Sequence, residues 1–322
     1  MTVSTPRPPV DLTARVGGLV LPNPIMTASG TSGHGAELGA YFDLSRLGAV
    51  VVKSLSAEPW PGNAAPRLLP IPGGMLNSVG LDNPGLDRWL EGELPALARA
   101  GARVVVSLWA RTAAGYAQAG ERLAAGLRGS SLGGCVVAVE ANISCPNIDD
   151  RQRMFSHSEE ATTAAVSSLC GALAPTGLPL WAKLSPNVTD LVVIGAAAMR
   201  AGAEGLTLVN TLMGLAIDPV TGKARLGGGG GGVSGAALHA VAVRAVYDCR
   251  RAFPRAAIVG VGGVTSGYGA AELLAAGADA VQVGTATFAQ PSAPARVLAE
   301  LEAWCASHGV TNMPGLVGRA HG

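Results

Sequence analysis

The residues with the clearest capacity for chemistry lie together in one nonapeptide, Val139–Asn147. The apolar run that leads into it is too short for a helix and predicts a buried strand. Asn142 and Ser144 are two positions apart, so a strand would point both side chains to the same face. Cys145 follows directly, and Pro146 must end the strand because proline has no N–H to donate. A free cysteine is most often a small buried apolar residue. Here, however, the pattern places a thiol at the carboxyl end of a strand, where parallel α/β proteins bind ligands.

The bulk composition excludes several classes of protein. The 322 residues have a formal net charge of +1, and only 14% are charged, so we expect no basic surface for nucleic acid. The first eleven residues lack the apolar core of a signal peptide, and the uncharged stretch 161–182 is broken by proline and glycine. We therefore expect no membrane association. The five cysteines are widely spaced with no CxxC pair, which predicts no metal site and suits a reduced, cytoplasmic compartment.

Short apolar segments alternate with helical patterns along the chain. Strands that alternate with helices pair in parallel through right-handed crossovers, so eight such units predict a closed (β/α)8 TIM barrel rather than an open doubly wound sheet. We expect one domain over 1–322, with an N-terminal leader at 1–18 and a short hairpin piece at 19–23 that caps the barrel floor. The predicted strands are 24–28, 49–54, 103–109, 136–144, 179–185, 205–210, 256–263 and 280–286. The predicted helices are 36–47, 85–100, 113–128, 158–174, 189–201, 236–252, 267–276 and 291–307.

Three long insertions interrupt this alternation, at 55–83, 147–158 and 212–234. Each follows a predicted strand, and therefore leaves the end of the barrel where active sites of this fold are built. Loops of this length in a compact domain are usually functional. We expect all three to lie over the active face.

Two lysines, Lys53 and Lys183, lie at the ends of predicted strands. Lysine is seldom buried without a partner, so two of them within apolar strands indicate an anionic or electron-rich ligand. The structural alternative is an ion pair with a barrel carboxylate, and Glu140 is the only carboxylate inside a predicted core strand.

The carboxyl ends of the last two predicted strands have the glycine-containing pairs Gly262-Gly263 and Gly284-Thr285. Backbone N–H groups at this position of a barrel, with the start of a short helix, form a phosphate cradle. The six-glycine run Gly227–Gly232 instead predicts a flexible loop, because a homoglycine run fixes no geometry. Gly235, at the following helix start, could approach a ligand closely.

Two enzyme classes fit these residues. The first is a flavin oxidoreductase that holds an FMN phosphate at the last two strands. The second is a Schiff-base lyase or aldolase in which Lys183 attacks a sugar-phosphate carbonyl. The cysteine favours the first class, as do the amides of Asn77, Asn142, Asn147 and Asn210, which suit a flat heterocycle with C=O and N–H edges.

In combination, these motifs resemble those of the dihydroorotate dehydrogenases, over a region from about Pro24 to Phe288. The cysteine at position 145 and an N-terminus without a membrane-binding helix are similar to class 1. Lys183–Asn187 and Asn210–Gly214 look closer to class 1B than to class 1A. The motifs that carry the resemblance are Ala28–Gly30, Val52–Ser54, Gly74–Leu81, Asn142–Asn147, Lys183–Asn187, Asn210-Thr211, Gly262-Gly263 and Gly284-Thr285.

The resemblance implies a role for each site residue. Cys145 would remove the C5 proton of dihydroorotate while C6 gives hydride to flavin N5, with Lys53 and Lys183 as the other catalytic residues. FMN would be contacted by Ser29, Gly30, Lys53, Ser54, Asn142, Lys183, Val209, Gly235, Gly262, Gly263, Gly284 and Thr285. The substrate would be held by Lys53, Asn77, Ser78, Val79, Gly80, Leu81, Asn142, Asn147, Asn210 and Thr211.

The resemblance also implies partners, and the sequence departs from it at two places. Class 1B enzymes work with a separate subunit that carries FAD and an iron–sulfur cluster, and a homodimer is expected from the family. Ser107 aligns where the family often has asparagine on strand 3. The segment Ile148–Phe155 lacks the glycine expected after Asn147, although we expect it still to form a lid over Cys145. These departures leave open an FMN oxidoreductase of the same build that acts on another dihydropyrimidine-like ring.

Overall fold

The computed structural model of this protein describes residues 10–144 and 154–322. Its strands are β1 (Ala14–Val16), β2 (Leu19–Leu21), β3 (Ile25–Thr27), β4 (Val50–Val51), β5 (Leu68–Ile71), β6 (Gly74–Asn77), β7 (Val104–Leu108), β8 (Val136–Asn142), β9 (Leu180–Leu184), β10 (Gly205–Leu208), β11 (Leu212–Gly214), β12 (Gly231–Ser234), β13 (Ala257–Val261) and β14 (Ala280–Val283). Its α-helices are α1 (Leu86–Arg88), α2 (Leu94–Arg99), α3 (Ala113–Leu127), α4 (Glu159–Leu173), α5 (Leu191–Arg200), α6 (His239–Ala252), α7 (Gly267–Ala275), α8 (Ala286–Ala289) and α9 (Ala293–Ser307). A π-helical segment, Trp89–Glu93, joins α1 to α2.

Eight of these strands form a parallel sheet in the order β3-β14-β13-β10-β9-β8-β7-β4. The two outer strands meet through a parallel bridge between Met26 and Ala49, where the Thr27 amide donates to the Ala49 carbonyl at 3.3 Å. The sheet is therefore a closed (β/α)8 barrel, as predicted. Each barrel strand lies within its predicted range, and the last one is shorter than expected because α8 begins at Ala286.

The amino end of the barrel is closed by the hairpin of β1 and β2. Ala14, Val16 and Leu21 are buried in the same hydrophobic cluster as Trp181 and Val259 of the barrel strands. The predicted leader at 1–18 was therefore too long, since the chain is already a paired strand from residue 14. The expected hairpin piece lies on the barrel floor.

Two of the long insertions build a second, antiparallel sheet in the order β11-β12-β6-β5. The polyglycine run is part of it, so the prediction of a flexible loop was wrong for its last two residues. Gly231 pairs with Gly214, and Gly232 pairs with Asn77. A side chain on Gly232 would collide with that of Thr211. Glycine is therefore required here for close packing within a strand.

One predicted helix is absent. The pattern at 36–47 forms two separate 3₁₀ turns, Glu37–Ala40 and Leu44–Arg46, because the Asp43 side chain accepts from the Ser45 amide and starts a new turn. Within the described ranges, no helix is both long and apolar enough to cross a bilayer.

Candidate active site

The carboxyl ends of the barrel strands open into a cavity of about 320 Å³, which the second sheet covers on one side. The residues predicted for the site come from nine separate parts of the chain, and the fold brings the described ones together in this cavity. Those that line it are Ser29, Gly30, Lys53, Ser54, Asn77, Ser78, Val79, Gly80, Leu81, Asn142, Lys183, Val209, Asn210, Thr211, Gly235, Gly262, Gly263, Gly284 and Thr285.

Cys145 and Asn147 lie outside the described residues, as does most of the predicted lid, Ile148–Arg153. The described chain reaches Ser144, which lines the cavity directly after β8. Tyr116 holds the end of β8 in place. The Tyr116 hydroxyl donates to the Asn142 carbonyl at 2.7 Å, and the Tyr116 ring contacts Phe155 edge-on, with centroids 5.3 Å apart.

Lys183 lies at the base of the cavity and is only 4% exposed. Its ammonium donates to Ser29 Oγ at 3.0 Å and to Gln282 Oε1 at 3.4 Å, and it lies 3.5 Å from Glu140 Oε1. The ion pair considered from sequence is therefore present, but it is long, and Lys183 still faces the cavity. The ion pair therefore does not exclude the predicted role of Lys183 toward a ligand, which stays a prediction.

Glu140 is fully buried inside the barrel, on the neighbouring strand β8. Besides Lys183, its carboxylate accepts from Gln282 Nε2 at 2.9 Å and from Ser107 Oγ at 3.2 Å. A buried carboxylate is stable only when it is paired and hydrogen-bonded. Gln282 went unnoticed in the sequence, although a lone polar residue within the apolar strand β14 was the available signal.

Asn142 links this buried network to the cavity wall. Its Nδ2 donates to Ser54 Oγ at 3.0 Å, and its Oδ1 accepts from Asn210 Nδ2 at 3.2 Å. Ser54 Oγ lies 2.9 Å from Ser107 Oγ. Ser107 therefore joins this network through Ser54. Ser107 itself does not line the cavity.

Lys53 lies at the opposite side of the mouth, after β4. Its Nζ donates to the Asp82 carbonyl at 2.7 Å, which attaches it to the turn that follows β6. The neighbouring His34 is half-buried, and desolvation, followed by the charge of Lys53, lowers the pKa of its imidazole to about 4. At neutral pH the imidazole of His34 is therefore neutral, and it lies outside the residues that line the cavity.

The glycine-rich end of the cavity is built from backbone packed against backbone. Gly263 has φ +65°, and a Cβ there would lie 2.8 Å from the Gly235 carbonyl oxygen. Gly235 has φ +103°, and its Cβ would lie 2.5 Å from the Gly74 Cα. Gly284, after β14, lies against Ala28 in the same wall, so this end is reserved for residues without side chains.

Several lining residues were missed from the sequence, mostly because they come from the second sheet or from short helices. The short apolar runs on both sides of the Pro-Gly-Gly sequence at 72–74 were a hairpin signal, and this hairpin places residues of β5 and β6 at the cavity. The missed residues are Thr31, Asn63, Leu68, Met75, Ser234, Leu238, Val261 and Phe288.

Chemically, the cavity combines a buried ammonium, a second ammonium at the rim, a row of amides and hydroxyls, and a side-chain-free end. These groups suit a ligand with anionic and carbonyl oxygens. Among the described residues, no three His, Cys, Asp or Glu side chains are grouped so as to hold a metal ion. Fold and cavity together define a (β/α)8 barrel with a cationic, amide-lined ligand site at the carboxyl ends of its strands.

The chain belongs to the dihydroorotate dehydrogenase family. The family model described as "Dihydroorotate dehydrogenase" matches residues 11–304. A protein of Pelobacter propionicus named "Dihydroorotate dehydrogenase B (NAD(+)), catalytic subunit" is 42% identical over 96% of this chain and 98% of its own length. Proteins with the same name from Geobacter sp. strain M21 and Desulforudis audaxviator are 41% and 43% identical, over 96% and 95% of this chain and 97% and 96% of their own. The resemblance to the class 1B enzymes is confirmed.

Proposed function

We propose that this protein oxidises (S)-dihydroorotate to orotate with bound FMN, in the de novo synthesis of UMP. The observation that carries the proposal is the convergence of two lysines, four asparagines and the glycine-lined end on one cavity of a family member. The named relatives of the same length support the same activity.

The residues present fit FMN. The glycine-lined end formed by Gly235, Gly262, Gly263 and Gly284, with Thr285 beside it, would hold the phosphate, because bare backbone can approach it closely. Lys183, Ser29, Gly30, Ser54, Asn142 and Val209 would lie along the ring system. When bound, FMN supplies the hydride acceptor. Lys183 keeps a positive charge at the base of the cavity, where it would favour a negatively charged ring.

The substrate would lie over this ring, toward the second sheet. Lys53 and the turn Asn77–Leu81 bring an ammonium and amides to one side of the mouth, and Asn210 and Thr211 bring donors to the other. This set suits the carboxylate and the ring carbonyls of dihydroorotate. Asn147, which follows three residues after Ser144, is the further amide that we assign to substrate binding.

Cys145 is the base that we assign to the C5 proton of the substrate. It is the next residue after Ser144, whose side chain lines the cavity. A carbon acid beside a carbonyl needs a base within hydrogen-bond reach, and a thiol with a pKa of about 8.5 can serve near neutral pH beside a cation such as Lys53. The paired ammonium of Lys183 is poorly suited to Schiff-base chemistry, which needs a neutral amine.

The electron acceptor would be reached through other chains. The relatives are named catalytic subunits, and we propose a separate subunit with FAD and an iron–sulfur cluster that passes electrons to NAD. We also propose a homodimer. We propose a cytoplasmic location too, which the wide spacing of the cysteines in the sequence suits.

The test is the visible spectrum of the purified protein, before and after anaerobic addition of dihydroorotate. We expect a yellow protein that bleaches, and a Cys145→Ala variant that is equally yellow but bleaches at least about a hundredfold more slowly. Dihydrouracil, which lacks the carboxylate, should not bleach either protein. A wild-type protein that stays yellow with dihydroorotate but bleaches with another dihydropyrimidine would overturn the substrate, and a protein that cannot be loaded with FMN would overturn the cofactor.

A further inference from the structure

A directed chain of hydrogen bonds runs from the cavity wall to the centre of the barrel. Asn210 Nδ2 donates to Asn142 Oδ1 at 3.2 Å, and Asn142 Nδ2 donates to Ser54 Oγ at 3.0 Å. Ser54 Oγ lies 2.9 Å from Ser107 Oγ, which donates to Glu140 Oε1 at 3.2 Å. Three side chains, those of Asn142, Ser54 and Ser107, thus connect the amide of Asn210 at the cavity with the fully buried carboxylate of Glu140.

The direction of this chain is fixed at both ends. An ionised carboxylate only accepts, so the single hydroxyl hydrogen of Ser107 must point to Glu140. Ser107 can then only accept from Ser54, and Ser54 can only accept from Asn142. At the other end the backbone N–H of Thr211, which can only donate, meets Asn210 Oδ1 at 2.8 Å.

At the buried end, two further donors keep the carboxylate of Glu140 in the role of hydrogen-bond acceptor. Lys183 Nζ lies 3.5 Å from Oε1, and Gln282 Nε2 donates to Oε2 at 2.9 Å. These donors come from β9 and β14, on other sides of the barrel from Ser107. Both carboxylate oxygens therefore meet N–H or O–H groups, and only an acceptor satisfies all three partners.

We propose that Glu140 is a positioning residue that, through Ser107, Ser54 and Asn142, orients the amide of Asn210 as a hydrogen-bond donor toward the ligand. The oxygen of the Asn210 amide accepts from the Thr211 N–H, and one hydrogen of its NH₂ group is donated to Asn142. The second hydrogen of that NH₂ group is left for a ligand in the cavity. The wall thereby selects a ligand with acceptor oxygens, such as a carboxylate or a ring carbonyl. This inference rests on the proposed function, because it names how the same site recognises dihydroorotate and orotate.

The test compares Ser107→Ala, which cuts the chain but leaves the Glu140–Lys183 contact, with Ser107→Thr, which keeps the hydroxyl. Orotate affinity is measured with FMN-loaded protein by calorimetry, and FMN affinity and thermal unfolding are measured on the apoprotein. We expect orotate to bind about tenfold more weakly to Ser107→Ala, as for loss of one buried hydrogen bond, and within about threefold of wild type to Ser107→Thr. FMN is kept saturating in every variant, so that a weakened contact of Ser54 or Asn142 with the flavin does not enter the orotate affinity. Glu159→Gln, in an exposed ion pair with Arg200, is the matched surface control.

Glu140→Gln and the double variant with Ser107→Ala separate positioning from general packing. A glutamine can turn its amide toward Ser107 and reverse the chain, so orotate affinity should again fall at least tenfold. If Glu140 acts through Ser107, adding Ser107→Ala to Glu140→Gln should cost less than about threefold more. Additive losses, or unchanged orotate affinity in Ser107→Ala, would overturn the inference. If Glu140→Gln does not fold, the two Ser107 variants decide alone. Wild-type protein that binds no orotate would instead overturn the proposed function, and the inference with it.

Discussion

Nζ of Lys183 lies 3.0 Å from Oγ of Ser29 and so joins β9 to the loop after β3 across the mouth of the barrel. Its distance to the carboxylate of Glu140 is longer, at 3.5 Å. The ammonium is therefore held between a hydroxyl at the cavity wall and a charge beneath it. This position leaves Lys183 both charge-balanced and available to a ligand in the cavity.

Replacing Lys183 by methionine should preserve the chain length while removing the charge. We expect FMN affinity to fall at least about tenfold and the rate of flavin bleaching by dihydroorotate to fall at least about a hundredfold, because one preorganised charge beside the reacting ring is lost. Anaerobic stopped-flow absorbance measures the rate. Lys223→Met, at an exposed lysine in the insertion after β11, is the control and should behave as wild type. A Lys183→Met protein that bleaches at the wild-type rate would refute the role.

A single methyl group should disturb the glycine-lined end of the cavity. In Gly263→Ala the new Cβ would lie 2.7 Å from the His239 Cβ and 2.8 Å from the Gly235 carbonyl oxygen, so the loop after β13 must move. We expect FMN affinity to fall at least about tenfold. Gly222→Ala is the matched control, because Gly222 has a similar φ of +68° but nothing within 4 Å of its Cβ. Equal FMN affinities in the two variants would show that this end does not hold the phosphate.

The barrel could be predicted from the sequence because each strand is a short apolar run between turn residues. The cavity followed, since strand ends of a closed barrel must converge, and this placed Lys53, Asn142 and Lys183 together. The second sheet could not be derived in the same way. Its strands come from two insertions whose pairing, such as Gly232 with Asn77, depends on contacts 155 residues apart.

The buried network beneath the cavity was only half predictable. Glu140 was identified as the one carboxylate in a core strand, and its ion pair with Lys183 was considered from the sequence alone. Gln282 and Ser107 gave little signal, because a single neutral polar residue in a strand does not reveal which neighbouring strand it faces. The register of β7, β8, β9 and β14 in three dimensions decides that all four side chains meet.

Tyr116→Phe should destabilise the end of β8. The variant removes the hydrogen bond of 2.7 Å from the Tyr116 hydroxyl to the Asn142 carbonyl, inside a buried environment. We expect the free energy of unfolding in urea to fall by about 1 kcal/mol, as for one buried hydrogen bond. Tyr268→Phe, at a tyrosine that is 65% exposed, should change it by less than about 0.5 kcal/mol. A smaller loss for Tyr116→Phe than for Tyr268→Phe would contradict this account of how β8 is held.

The half-buried imidazole of His34 should make stability depend on pH below neutrality. Burial, followed by the charge of Lys53, lowers its pKa from 6.5 to about 4, against the opposing carboxylates of Glu37 and Asp82. Its Nε2 is buried without a hydrogen-bond partner among the described residues, which agrees with a neutral ring. As the pH falls from 6.5 toward 4, His34 binds a proton in the unfolded state but stays neutral in the folded state. The stabilisation is therefore complete above pH 6.5 and is lost as the pH falls to about 4.

His34→Gln should remove this part of the pH dependence. Because the group is partly open to solvent, the full shift overstates the effect, and we expect the wild type to lose about 1–2 kcal/mol more than His34→Gln between neutral pH and pH 4.5. Urea unfolding at several pH values measures the difference, with the contribution of the carboxylates common to both proteins. His308→Gln, at an exposed histidine that stacks on Trp304, should keep the wild-type slope. Parallel stability curves for the wild type and His34→Gln would show that the imidazole of His34 is protonated as readily in the folded protein as in the unfolded chain.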